Sequence, residues 1–420
     1  MRKIKVVWVC SMSSRIVREK LDFYRWTPIA LLRRLKGTMP VYDLHKWNSN
    51  GIAEFEKFDD IELHIVSPHK YLSHTQEFDI NGVHYHFIKN ENDSLVDYIR
   101  RSIFKWVRTD YSKNARRICR IIERINPDIV HVIGAENPEY SQAAIHVPPR
   151  MPLIVSLQTL LADPIFLKNR PWFKDKEKYR VDIEAEVLKS TDYIGTKSEH
   201  YRTIIRKNIN PEAKFLDMGL AVGEKPNFAP CKKEYDFVYF AKDISKAVDY
   251  AIEAFAIAKG KHPDITLHIV GGYDRALMES LRTRMKELGL GNEVDFTGKL
   301  ETHDDVIKEV RKAKYALLPI KADLISGTIR EAMINGLPVV TGITPATPEL
   351  NKTRESVLLS EKGDFKSMAE NMCKLIEEPD LVRILSENGT KTIEERYSNE
   401  TAMKEWRDCY YKILKESKNK

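Results

Sequence analysis

The chain of 420 residues is expected to fold as α/β, in two doubly wound, Rossmann-like domains. Two observations carry this expectation. Short β-branched apolar runs alternate with stretches of helical periodicity, and the alternation breaks once, at Gly219-Leu-Ala-Val-Gly-Glu-Lys-Pro-Asn-Phe-Ala-Pro230. Strands that are apolar on both faces and separated by helices belong to parallel sheets covered on both sides. Two such series, in a chain long enough for two cores, make two doubly wound domains.

In the first series, Ile4 to Cys10, Glu62 to Ser67, Val83 to Ile88, Ile129 to Ile133, Leu153 to Leu157 and Tyr193 to Thr196 read as strands, each a short run rich in β-branched or aromatic residues. Between them, Ser112 to Ile125 and Tyr179 to Lys189 carry apolar residues at helical spacing. The first of these helices should stop at Asn126-Pro127. The second series repeats the alternation with strands at Asp236 to Phe240, Thr266 to Val270, Val294 to Thr297, Tyr315 to Pro319, Leu337 to Thr341 and Val357 to Leu359. An amphipathic stretch from Ala402 to Leu414 follows near the end.

Composition narrows the class. Hydrophobic residues make up 42% and charged residues 31%, the balance of a globular protein. No apolar run approaches the ~20 residues that span a bilayer, and Lys3-Ile-Lys-Val-Val-Trp-Val-Cys10 is too short and strand-like for a signal peptide. A cytoplasmic location is therefore expected. The five cysteines lack Cys-x-x-Cys spacing, which argues against a disulfide framework and a structural zinc. The net charge is +7, and its excess lies early: residues 1–230 hold 37 Lys+Arg against 29 Asp+Glu, the remainder 31 against 32. A basic group running from Arg100 to Arg124 reads either as a solvated helix face or as an attraction to anionic lipid. Nucleic acid is not expected, because these residues are not interleaved with stacking aromatics. A nicotinamide cofactor is not expected either, since no Gly-x-Gly-x-x-Gly follows any strand.

The segment from Asp323 to Gly336, Asp-Leu-Ile-Ser-Gly-Thr-Ile-Arg-Glu-Ala-Met-Ile-Asn-Gly, places the carboxylates of Asp323 and Glu331 on either side of a small-residue turn that opens a helix. Amides at a helix N-terminus have no partner within the helix and favour an anion, commonly phosphate. A carboxylate one turn in can accept hydrogen bonds from ribose hydroxyls, and one before the turn can reach a sugar. The same residues also read as a capping box, with Thr328 and Glu331 satisfying amides reciprocally. Taken alone, the segment does not choose between the two.

Ligands of open α/β sheets bind beyond the carboxyl ends of the strands. Along that edge of the second series come Phe240-Ala241-Lys242 with Lys246, then Val270-Gly271-Gly272, then Phe296-Thr-Gly298-Lys-Leu300, then Asp323 to Glu331. This ordered set resembles the donor half of the retaining GT-B glycosyltransferases, in particular family four. The resemblance extends through Leu337-Pro-Val-Val340 and Thr347-Pro-Glu349-Leu and covers roughly Asp236 to Leu359. In the first series Pro127-Asp-Ile-Val-His131-Val-Ile-Gly134 and Thr191 to Ser198 are similar to the corresponding family segments, more diffusely. Four positions depart from the family pattern. Asp323 stands for Glu, Lys242 for Arg, Ser11-Met-Ser-Ser14-Arg15 for a glycine-rich turn, and Gln158 for His.

The resemblance implies a GT-B fold: an acceptor-side domain over residues 1–218 and a nucleotide-sugar domain over 219–398, facing across a cleft, with a helix in 399–420 returning to the first. It implies a retaining, metal-independent glycosyltransferase, and the basic first domain suggests docking at the inner face of the cytoplasmic membrane. Such an enzyme moves a sugar from a nucleoside-diphosphate sugar to a saccharide or lipid-linked acceptor, in cell-surface polysaccharide or glycoconjugate synthesis. No cofactor beyond that donor is implied, and the chain has no Asp-x-Asp, the usual manganese signature of the other major transferase fold. The implied catalytic residues are Lys242, Lys246, Glu331 and Asp323. Gly271, Gly272, Gly298, Ser326, Gly327, Thr328 and Glu331 would hold the donor, and Ser13, Ser14, Arg15, His131 and Gln158 would face the acceptor or sugar. The departures at Asp323 and Gln158 keep open a GT-B protein that binds a nucleotide or sugar without transferring it.

Overall fold

The computed structural model describes residues 2–23, 44–91, 109–169, 177–222, 228–241, 247–320 and 325–418, with positions 35, 96, 99, 100 and 103 between them. The chain divides into two units, Met1–Ala221 with Asn399–Lys420, and Val222–Ser398.

The first unit is built on an eight-stranded sheet of order β3-β4-β2-β1-β5-β6-β7-β8. Its centre is β1 (Ile4–Val9), paired in parallel with β2 (Ile61–His69) on one side and β5 (Ile129–Ile133) on the other. Beyond β5 follow β6 (Leu153–Ser156), β7 (Tyr193–Gly195) and β8 (Lys214–Leu216), all parallel. On the other edge β4 (Val83–Lys89) runs parallel to β2, while β3 (Gln76–Ile80) pairs with β4 in antiparallel fashion. The turn between them is Asn81-Gly82, both at positive φ (51° and 80°), the backbone that a tight hairpin requires and that Asn-Gly supplies.

The helix Ser112–Ile125 buries Ala115, Ile118, Cys119 and Ile122 and exposes Arg116, Arg120 and Arg124, so within it the basic group lies on the solvent side. The last helix, Asn399–Lys418, belongs to this unit and inserts Met403, Trp406, Tyr410 and Ile413 into its core. There the Trp8 indole N–H donates to the Tyr410 hydroxyl at 2.8 Å, and that hydroxyl lies 2.7 Å from His131 Nδ1. Because the indole can only donate, the Tyr410 proton is left to bond His131.

The second unit carries β9 (Tyr235–Phe240), β10 (Leu267–Val270), β11 (Val294–Gly298), β12 (Ala313–Leu318), β13 (Val339–Gly342) and β14 (Leu358–Ser360), all parallel, in the order β11-β10-β9-β12-β13-β14. Counted from β9 this is 3-2-1-4-5-6, the dinucleotide-fold order, whose direction reverses between β9 and β12. Phe237, Tyr239 and Phe255 are fully buried in its core. Among the described residues no helix is long and apolar enough to cross a membrane.

The first unit also buries a carboxyl group completely. Glu184 has no exposed surface and accepts from the amides of Leu161 (2.9 Å) and Ala162 (3.0 Å). Burial outweighs those two bonds and, with the Glu136 carboxylate nearby, pushes its pKa up to about 8 from an ordinary 4.5. Burial pushes His131 down from 6.5 to about 3, so His131 has finished titrating in both states above pH 7.5 and is already neutral in the folded chain below it. Between pH 4.5 and 8 the folded chain keeps a proton on Glu184 that the unfolded chain has released, so the contribution of this group to stability falls with rising pH. Between pH 6.5 and 8 the melting midpoint of the wild type is therefore expected to fall with rising pH relative to that of Glu184→Gln. A midpoint with equal slope in wild type and variant would refute the assignment.

Candidate functional site

The carboxyl edge of the second sheet brings four strand ends together. Past β9, the carbonyl of Ala241 accepts from the Tyr273 hydroxyl at 3.0 Å. Past β10, a Cβ added at Gly271 would stand 2.5 Å from that same carbonyl oxygen, and one at Gly272 would stand 2.6 Å from Lys299 Cβ. The two glycines are thus demanded by loops packed on each other. Gly271 also bridges to Gly298 at the end of β11. Gly298 has φ +72°, and nothing lies within 4 Å of where a Cβ would stand, so its demand is conformational and its outer face is open. Between β9 and β12, at the reversal of strand order, a small recess is lined by Tyr239, Phe240, Ala241, Leu318, Pro319 and Ile320, with Thr328 at its wall.

The helix Gly327–Ile334 starts beside that recess. Ser326 is its N-cap residue, with extended backbone and no side-chain capping bond; its hydroxyl lies 2.8 Å from that of Thr328. The capping-box reading of Thr328 and Glu331 is therefore corrected. Thr328 is already the second helical residue, and Glu331 is the fifth, two positions past the third residue that reaches back in a capping box. The Glu331 carboxylate instead meets His303 Nε2 at 3.0 Å, with side chains 16% and 31% exposed. His303 is the first residue of the helix His303–Arg311, whose N-cap Thr302 accepts from the Asp305 amide at 3.1 Å. Sequence reasoning missed His303; the signal was the Thr302-His-Asp-Asp305 helix start after the β11 loop.

Ser326, Gly327, Thr328, Glu331, Gly271, Gly272 and Gly298 thus share one edge of one sheet. Lys242, Lys246 and Asp323 lie outside the described residues. In the first unit the assigned residues scatter. Ser13 is buried, bridges to Leu44 through its backbone, and holds Arg18 through its hydroxyl at 3.2 Å. Ser14 caps the helix Arg15–Lys20 at the Val17 amide, and Arg15 is exposed, paired with Glu19. Gln158 donates to the Ile133 carbonyl at 3.0 Å. His131 has no exposed surface and sits between Trp8 and Trp406. The expectation that it faces an acceptor is corrected: the closing helix covers it.

Residues 224–392 match the family model of glycosyl transferases group 1, a stretch that contains all four strand ends. The second unit is a group 1 glycosyl transferase domain. A glycosyltransferase of Haemophilus influenzae, itself uncharacterized, is 26% identical over 163 residues, 39% of this chain and 44% of that one. The chain thus matches under half the length of that relative. The N-acetyl-alpha-D-glucosaminyl L-malate synthase of Bacillus anthracis is 22% identical over 328 residues, 76% of this chain and 83% of that protein. Among solved structures, sucrose-phosphate synthase from Thermosynechococcus elongatus superposes with a TM-score of 0.69 at 14% identity, over 98% of this chain and 99% of that one. At that identity the likeness speaks for the fold, and the fold is GT-B. The group 1 domain therefore carries the candidate site on its sheet edge.

Proposed function

We propose that the protein transfers a sugar, with retention of anomeric configuration, from a nucleoside-diphosphate sugar to a saccharide or lipid-linked acceptor in polysaccharide or glycoconjugate synthesis. The observation that carries this reading is the N-terminus of Gly327–Ile334, which opens beside the recess where the strand order reverses. Its amides and the positive end of its dipole suit a diphosphate.

Breaking the bond between the anomeric carbon and the leaving phosphate builds negative charge on the diphosphate. Fixed donors aimed at that charge are typically the largest catalytic contribution. On this reading the amides at Gly327 and Thr328 supply them, with Lys242 and Lys246 from the segment after β9. Glu331 accepts from the ribose hydroxyls, and Asp323 from hydroxyls of the donor sugar. Charge neutralisation falls to amides and lysines rather than to a metal.

A thermal-shift series with UDP, GDP and ADP tests the reading. At about 100 times its dissociation constant, a bound nucleotide contributes about 2.7 kcal/mol, so at least one diphosphate should raise the melting midpoint by several degrees. If all three leave it unmoved, the donor site is wrongly assigned.

A further inference from the structure

A cluster of metal-ligating side chains that the proposed transfer does not use stands on the sheet of the first unit. We propose that Glu62 and His64 of β2 and His84 of β4 bind a zinc ion. One ligand atom from each of these residues lies within 4.8 Å of the other two. The backbone places them there: Glu62 and His64 are two apart on β2 and so share a face, and His64 is the register partner of His84. The rings of His64 and His84 stack with centroids 4.5 Å apart, and His64 Nε2 stands 3.0 Å from Glu62 Oε1. Zinc binds such atoms at about 2.0–2.2 Å, so two ligands on one tetrahedral ion stand about 3.3–3.6 Å apart. The pair on β2 has only to open by a few tenths of an ångström to admit the ion, and His84, whose side chain is 36% exposed, can turn to close the third side.

The surrounding hydrogen bonds favour the same assignment. His84 Nδ1 lies 2.7 Å from Asp79 Oδ1, so its N–H is given to that carboxylate and Nε2 keeps a lone pair for a metal. A carboxylate behind a ligating histidine is the usual way such rings are oriented. On the other side runs a chain of close approaches. Glu62 Oε1 faces His64 Nε2 at 3.0 Å, His64 Nδ1 faces His86 Nε2 at 3.1 Å, and His86 Nδ1 faces Glu77 Oε1 at 3.2 Å.

Those three gaps each need a hydrogen, but two neutral imidazoles carry one N–H apiece. While both rings are neutral, one gap is left as lone pair against lone pair. A zinc ion on His64 Nε2 removes the shortfall. It fills the first gap itself and leaves the two ring protons for the other two. The competing cation is Lys5, whose Nζ lies 3.4 Å from the same Glu62 oxygen; a divalent ion bound by three residues displaces it. Three protein ligands leave a fourth position for water. Bound there, the ion ties β2 to β4 and, through Asp79, to β3.

Calorimetric titration of the full chain with zinc chloride tests this. Saturable binding is expected that weakens at least tenfold in His84→Gln and in Glu62→Gln, with circular dichroism of both variants unchanged. Cys373→Ser provides the control, because His262, Cys373 and Glu377 form a second such cluster in the other unit. Wild-type protein that takes up no zinc, or zinc binding that survives His84→Gln and disappears in Cys373→Ser, overturns the proposal.

Discussion

Replacing Glu331 with alanine is expected to lower kcat/KM for the nucleoside-diphosphate sugar on the order of 10²-fold or more, with little change in stability. A hydrogen bond to a charged group contributes about 1.5–3 kcal/mol, and Glu331 is assigned two, to the ribose hydroxyls. Both exist before and during transfer, so the loss should appear mainly as a higher KM. The competing role is visible in the structure, where Glu331 pairs with His303. If that pair were the whole purpose of the carboxylate, His303→Ala would cost as much activity as Glu331→Ala. On the proposed function His303→Ala frees the carboxylate and leaves most of the activity. Steady-state kinetics of the two variants with one donor decide, and equal losses would reduce Glu331 to a structural residue.

The two doubly wound series were legible because a parallel strand buried on both faces must be apolar throughout, and Val238-Tyr-Phe240 or Val339-Val340 can be little else. Among the described residues, the two strands that escaped obey other rules. β3, Gln76–Ile80, alternates partly exposed and exposed positions on a sheet edge, so its apolar content is low; its evidence was the Asn81-Gly82 turn beside it. β8, Lys214–Leu216, is too short for periodicity to register. At the site, the loop glycines were legible as close approaches, but not what approaches them: the Ala241 carbonyl at Gly271 is a tertiary fact. His303 and Glu331 meet only because β11 and β12 lie on the same sheet. In the first unit the local motif misled. Ser13 and Ser14 follow the first strand as a site residue would, yet one holds Arg18 and the other caps a helix.

Tyr410→Ala is expected to destabilise the first unit by about 3–5 kcal/mol for the lost ring, the usual loss for a large buried aromatic, in addition to the cost of the two polar partners that its hydroxyl leaves behind. The ring is fully buried and meets Phe55 and His131 at centroid separations of 6.0 and 5.8 Å. Tyr410→Phe separates packing from polarity. It keeps the ring but leaves the Trp8 indole N–H and His131 Nδ1 buried without partners, at a cost of about 1–3 kcal/mol for each orphaned group. Urea denaturation of both variants should therefore show Tyr410→Phe retaining only part of the stability. If Tyr410→Phe matches wild type, the hydroxyl is not what joins β1, β5 and the closing helix. The outcome bears on the reading of His131 as well. That residue sits in a strand-end motif that resembles a binding turn, and a residue 279 positions further along the chain takes up its Nδ1. No local pattern around His131 carries that information, because the side chain that covers it belongs to a helix separated from it in sequence by the whole second unit.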